Sequence, residues 1–160
     1  MGLDLTFNTE CGRFNYRVGA IIIHDGKVLM VKHNNSPFYY TVGGRVKLHE
    51  SSAEAILREA KEETGVDFEI DRLGFIEEVF YVEDGEKHHE MSVFYYLKTP
   101  LEIRSVKKCF DANGLERTDI ELVWLPLNGL NKFNLYPDFF KTQLTTSSPN
   151  VKHIVSKRYN

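Results

Sequence analysis

Between Gly44 and Val66 the chain reads GRVKLHESSAEAILREAKEETGV, and the middle of that stretch has little choice but a helix. Ser51 or Ser52 can cap it, and Glu54 stands three residues after Ser51, the pairing of a capping box. Gly65 follows at the position where a helix most readily ends. At about 100° per residue, Ala53, Ile56, Leu57, Ala60 and Thr64 fall on one stripe that must pack against a sheet. Glu59, Glu62 and Glu63 share a different face, where like charges at this spacing repel. Lys61 is turned away from that face. Arg58 can reach one carboxylate but cannot neutralise three. Such a ridge is either a solvated surface or a seat for a hard divalent cation, since Mg²⁺ and Mn²⁺ prefer carboxylate oxygens and water in octahedral geometry.

The flanks read as strands. Tyr16 to His24 is rich in β-branched residues, Asp25-Gly26 supplies a turn, and Lys27 to His33 returns, which predicts a hairpin. Residues 34–37 form a loop, and FYYTV is a short extended run ending at Gly43-Gly44. After the helix, DFEIDRLGFIEEVFYV predicts one or two strands, EDGEK a turn, and HHEMSVFYYLKT another strand. Adjacent His88 and His89 point to opposite faces of that strand, so the pair reads as hairpin surface rather than a metal site. Residues 100–118 are loop-rich, and IELVWLPL is a strand. YPDFFKTQLTT predicts a second helix with Pro137 in its first position, and VKHIVSKRY a last strand or helical turn. Mixed strands around one central helix, then a terminal helix, predict an α/β fold. Its layers form an α/β/α sandwich with a mixed sheet, a single domain over residues 1–160.

A net charge of −3 gives no general basic field and argues against nucleic acid as a partner. An anionic substrate must then meet a local patch or a metal. Cys11 and Cys109 are too few and too far apart for a disulfide framework or a zinc site, which predicts reduced thiols and a cytoplasmic location. No run is long enough to cross a bilayer, and the N-terminus lacks the pattern of a secretory signal.

The wider spacing is more specific than the ridge alone. Gly44 is followed after five residues by Glu50, after seven more by Arg58-Glu59-Ala60, then by Glu62-Glu63 and Gly65-Val66. This resembles, position for position, the signature of the Nudix hydrolases, G-x5-E-x7-R-E-U-x-E-E-x-G-U with U apolar. AIIIHDGKVLMVKH and ELVWLPLNGL are similar to the family's first hairpin and late strand. Two positions depart from the usual pattern without touching a ligand: Val42 stands where the family usually has proline before the glycines, and Ala60 is a small residue at the apolar place.

The resemblance implies Mg²⁺-dependent hydrolysis of a nucleoside diphosphate linked to another group, with Mn²⁺ a substitute and a small nucleotide as substrate. Carried over by position, Glu59, Glu62 and Glu63 are the metal ligands, joined by the backbone carbonyl of Gly44. Either Glu62 or Glu63 takes a proton from the attacking water. Arg58 holds a glutamate by a bidentate contact, Gly43 and Gly44 allow close backbone approach, and Glu50 fixes the loop before the helix. One further carboxylate from outside the box is implied, with Glu121 the candidate and Glu116 behind it. Tyr39 and Tyr81, among Tyr40, Phe80 and Trp124, offer stacking surfaces for a base or belong to the core. Arg17 serves either a phosphate or a surface salt bridge.

A nucleoside triphosphate or modified nucleotide is the first substrate expectation; nucleotide sugars and dinucleoside polyphosphates follow. ADP-ribose enzymes of the family often carry a proline some way past the box, and this chain has none between Pro37 and Pro100. A non-catalytic nucleotide sensor is a different class, but such relatives usually lose box carboxylates that this chain keeps. The sequence leaves a homodimer open.

Overall fold

Asp25-Gly26 and Asp84-Gly85 set two tight turns, with φ of 47° and 69° in the first and 50° and 82° in the second. These are the left-handed pairs that two-residue hairpin loops require. The computed structural model describes residues 2–144 and 148–159. In chain order the elements are β1 (Thr6–Thr9), β2 (Gly12–Ile21), β3 (Ile23–His24), β4 (Lys27–His33), β5 (Phe38–Tyr40), β6 (Gly43–Arg45) and α1 (Ser52–Thr64). There follow β7 (Ile70–Glu83), β8 (Glu86–Leu97), β9 (Lys108–Phe110), β10 (Glu116–Pro126), β11 (Asn134–Tyr136), α2 (Phe140–Gln143) and β12 (Lys152–Arg158). Short 3₁₀ turns occupy Leu101–Ser105 and Leu127–Lys132.

The strands form two mixed sheets. One runs β1-β2-β8-β7-β12 with β6 also on β2; the other runs β11-β5-β4-β10-β9 with β3 on β4. β2 pairs parallel with β8, β12 parallel with β7, and β11 parallel with β5. Side-chain alternation splits the apolar residues into two cores. Val18, Ala20, Ile22, Leu29 and Val31 meet Ala55, Ile56 and Ala60 of α1. Ile21, Val28, Met30, Phe75 and Phe94 meet Leu130, Leu135 and Phe140 on the other side. Helical elements thus cover both faces of the β layers, the expected α/β/α arrangement.

The helix is built by its local signals. Ser51 Oγ accepts the Glu54 N–H at 3.2 Å, the Glu54 carboxylate accepts the Ser51 N–H at 2.9 Å, and Gly65 closes the end at φ 74°. The buried stripe is wider than the sequence pattern drew it, since Ala55 is fully buried and Ala53 only half-buried. The predicted first hairpin is corrected: only Ile23–His24 pairs with β4, while β2 leaves for the other sheet. The changeover follows Ile22, which is fully buried beneath α1. The second helix is shorter than expected at its start. Tyr136 ends β11, Pro137 follows a cis bond in a turn, and the helix begins only at Phe140. Phe139 and Phe140 turn inward there against Phe94, with ring centroids 5.5 and 5.6 Å away. The rest of that predicted helix, residues 145–146, lies outside the described residues. The tail is a strand, β12.

His88 corrects the reading of its pair as hairpin surface. His89 is exposed as expected, but His88 is buried and stacks on Tyr81 at 4.6 Å, with the ring planes 9° apart. Cys109 is buried and Cys11 exposed; burial pushes the Cys109 thiol up to about 11, which keeps it protonated and inert at neutral pH.

Candidate active site

α1 carries its carboxylates to the edge of a cleft, and Arg58 organises them. Its Nε and Nη2 donate to the two oxygens of Glu50 at 2.6 and 2.9 Å, a bidentate pair. Nη1 donates to Glu59 at 2.7 Å and, more distantly, to Glu62 at 3.4 Å. Nη2 also donates to the Arg45 carbonyl at 3.0 Å, and Glu50 accepts the Lys47 N–H at 2.9 Å. One guanidinium therefore ties residues 45–50 to the helix and orients two ridge carboxylates at once. Its bonds to Glu50 hold that carboxyl below its ordinary range.

Glu63 stands apart from this network. It accepts the Gly43 N–H at 3.0 Å. Burial, partly offset by that hydrogen bond, pushes its carboxyl up to about 8, with Glu59 adding repulsion. Burial also raises Glu59. As the side chains stand, Glu59 and Glu62 turn to Arg58 and Glu63 to Gly43. Among the described residues no group of three His, Cys, Asp or Glu converges in metal-ligating geometry. The donor chemistry nonetheless fits a hard dication. The ridge offers only carboxylate oxygens, Arg58 is shared with Glu50, and among the described residues Glu63 has no direct cationic partner.

The two glycines fit the site differently. A Cβ on Gly44 would lie 2.3 to 2.5 Å from the Glu59 carboxylate, so the bare backbone leaves that carboxylate its place. Gly43 sits at φ 152°, and a Cβ there would meet the Val18 carbonyl oxygen at 2.1 Å. Backbone cannot step aside as a side-chain tip can. Gly43→Ala is therefore expected to destabilise the protein by ~2 kcal/mol or more, read as a fall in urea midpoint at unchanged m-value.

Beside the ridge lies a cavity of about 590 Å³. It brings together Gly43, Glu63, Arg17 and Tyr81, four residues singled out from the sequence. Arg17 makes no ion pair or side-chain hydrogen bond among the described residues. Glu121 is elsewhere: it is exposed on β10 opposite Lys32 and Lys108 and does not line this cavity. Glu116 is paired with Lys108 at 2.7 Å. Tyr39 packs edge-on against Phe133 with Lys32 over its ring, while its neighbour Tyr40 faces the cavity. Trp124 packs beside His24, and Phe80 stacks on His89.

Sequence reasoning missed Glu77, Glu90, Ser92, Tyr136 and Arg158, which also line the cavity. A signal existed for Glu77, a carboxylate in the apolar phase of a strand between Phe75 and Val79. It is almost fully buried and accepts from Ser156 Oγ at 2.6 Å. Burial raises its carboxyl, against the opposing pull of Ser156 and Arg158.

The family model of the NUDIX domain matches residues 13–142. A crystal structure of a MutT protein from Bacillus halodurans superposes with a TM-score of 0.63 at 16% identity, covering 87% of this chain and 89% of that one. A MutT protein from Methanosarcina mazei gives 0.56 at 24% identity, covering 86% and 97%. An ADP-ribose pyrophosphatase from Methanocaldococcus jannaschii is 44% identical over 52 residues, which is 31% of this chain and 31% of that protein. With the signature from Gly44 to Val66 intact and the domain match spanning most of its length, this chain belongs to the NUDIX family.

Proposed function

We propose that this chain hydrolyses a pyrophosphate bond in a nucleoside triphosphate or a modified nucleotide, with Mg²⁺ held by Glu59, Glu62, Glu63 and the Gly44 carbonyl. The observation that carries this reading is the carboxylate ridge, undercompensated by Arg58 and opening beside a cavity that also holds Arg17, which has no ion pair among the described residues. A bound dication supplies positive charge against the phosphate oxygens and lowers the pKa of its water. The chain's own residues do the rest. Arg58 fixes Glu59 and Glu62 against their mutual repulsion, and the Glu50 pair keeps Arg58 from swinging away. Arg17 meets a phosphate at the cavity wall. Glu63 or Glu62 accepts the proton of the attacking water. The part-buried Gly43–Glu63 hydrogen bond holds that carboxylate at the cavity edge.

The sugar-linked alternative draws on the short match to an ADP-ribose pyrophosphatase, 44% identical over 52 residues. One panel separates the readings: nucleoside triphosphates, ADP-ribose, a nucleotide sugar and a dinucleoside polyphosphate, each with Mg²⁺. We expect release of pyrophosphate or phosphate from a triphosphate, loss of turnover with chelator, and recovery with Mg²⁺ or Mn²⁺. Binding without turnover of any compound would instead identify a sensor.

A further inference from the structure

The buried polar side chains of this protein are not scattered. Of five among the described residues, Asn15, Glu77, His88 and Ser92 lie on β2, β7 and β8; the fifth is Thr64. The register puts these four on one face of one sheet: Asn15 is opposite Glu90, Glu77 opposite Ser92, and His88 two residues along from Glu90. Asn15 accepts from Thr6 Oγ1 at 2.6 Å and His88 stacks on Tyr81, whereas Glu77 and Ser92, with Glu90, line the cavity. Apolar side chains would cover its floor at less desolvation cost, so polar groups there signal a ligand.

The floor carries an arginine on each side, Arg17 on β2 and Arg158 on β12, and of the two only Arg17 lacks an ion pair among the described residues. Arg17, opposite Ser92, stands on the β2 side, where the cavity also meets Glu63. Glu77 lies further across on β7, and Glu90 on the intervening β8 is a diagonal neighbour of both Arg17 and Glu77. The dication proposed at the ridge lies on the side of Arg17, while Arg158 is already engaged by Glu77 and the Tyr136 ring, so the phosphate end belongs beside Arg17 and the ridge. The neutral end of the ligand then lies over Glu77 and Glu90. Both are held in place: Glu90 accepts from Ser92 Oγ at 3.1 Å, and Glu77 accepts from Ser156 at 2.6 Å with Arg158 at 3.8 Å. Arg158 in turn lies over the Tyr136 ring at 4.7 Å. Each carboxylate keeps capacity for a further N–H donor. The remaining walls are flat and largely apolar, with Tyr40, Tyr81, Phe38 and Pro137. That suits a planar base better than a polyhydroxylated sugar, whose hydroxyls demand partners on every side.

Resting on the nucleotide reading above, we propose that Glu77 and Glu90 read the edge of a guanine-type base, the common base edge with two adjacent N–H donors, N1–H and the 2-amine. Ser156 and Arg158 of β12, a strand beyond the matched domain, act as positioning residues for Glu77.

Calorimetric titration of the full chain with GMP, IMP and UMP in Mg²⁺ buffer tests this without chemistry, since GMP and IMP differ only by the 2-amine. GMP is expected to bind wild type at least ~10-fold tighter than IMP, the worth of one hydrogen bond to a charged group. Glu77→Gln and, at the more accessible position, Glu90→Gln are expected to lose most of that preference, with circular dichroism confirming the fold of each. Equal binding of GMP and IMP, untouched by either substitution, would overturn the base assignment and leave the nucleotide reading standing. Tighter binding of ADP-ribose with the same dependence on Glu77 would assign the floor to sugar hydroxyls and overturn it as well. Binding of no nucleotide at all would overturn both.

Discussion

Glu63→Gln is expected to fold normally and to lose at least ~10²-fold in kcat, the range seen when a metal contact, a general base or a positioned electrostatic group is removed. Glutamine keeps the volume of the side chain, and its amide oxygen can still accept the Gly43 N–H that Glu63 accepts at 3.0 Å. It cannot take up a proton, and it binds a dication far less well than a carboxylate. The substitution also removes a desolvated carboxylate that repels Glu59, so the melting temperature should hold or rise. A measured kcat equal to wild type would remove Glu63 from the reaction. A collapse in melting temperature would make it structural.

Gly44→Ala should separate activity from stability in the same direction by a different route. The new Cβ would occupy space 2.3 to 2.5 Å from the Glu59 carboxylate, while φ at Gly44 is outside the left-handed range. The backbone therefore tolerates alanine, and the tip of a flexible glutamate can move aside at a stability cost of about 1 kcal/mol or less. The displaced carboxylate is a proposed ligand, however, and a misplacement on the order of 1 Å can cost about 10²-fold in rate. Steady-state kinetics beside thermal melting should show a large fall in kcat/KM with an almost unchanged transition. Comparable losses in both would mean that the Gly44–Glu59 contact supports the fold rather than the chemistry. The neighbouring Gly43→Ala instead lowers stability, because its obstacle is the Val18 backbone.

What the sequence disclosed was local. The capping box at Ser51 and Glu54, the stop at Gly65, and the spacing of Glu59, Glu62 and Glu63 are set within a few residues, so helix and ridge could be read directly. The α/β class followed from alternating strand patterns and turn residues. The route of β2 into a different sheet from β3 could not, because a buried Ile22 decides it through contacts distant in sequence. Arg58 was expected to hold a glutamate by a bidentate contact, but its partner is Glu50, eight positions earlier across a loop. The cavity floor needed the β7–β8 register and the docking of β12 before Glu77, Glu90 and Arg158 could meet. Glu77 was nonetheless marked by its place among inward apolar neighbours. Glu121, placed by analogy alone, lies away from the cavity, exposed on β10.

The central claim, that the ridge of α1 seats a divalent cation beside the cavity, is tested most directly by anomalous diffraction from crystals soaked in Mn²⁺. The account predicts anomalous density bonded to carboxylate oxygens of Glu59, Glu62 and Glu63 and to the Gly44 carbonyl, with Glu59 and Glu63 rotated from their present hydrogen bonds. Fully occupied Mn²⁺ elsewhere, with Glu59 still on Arg58 and Glu63 still on Gly43, would contradict it.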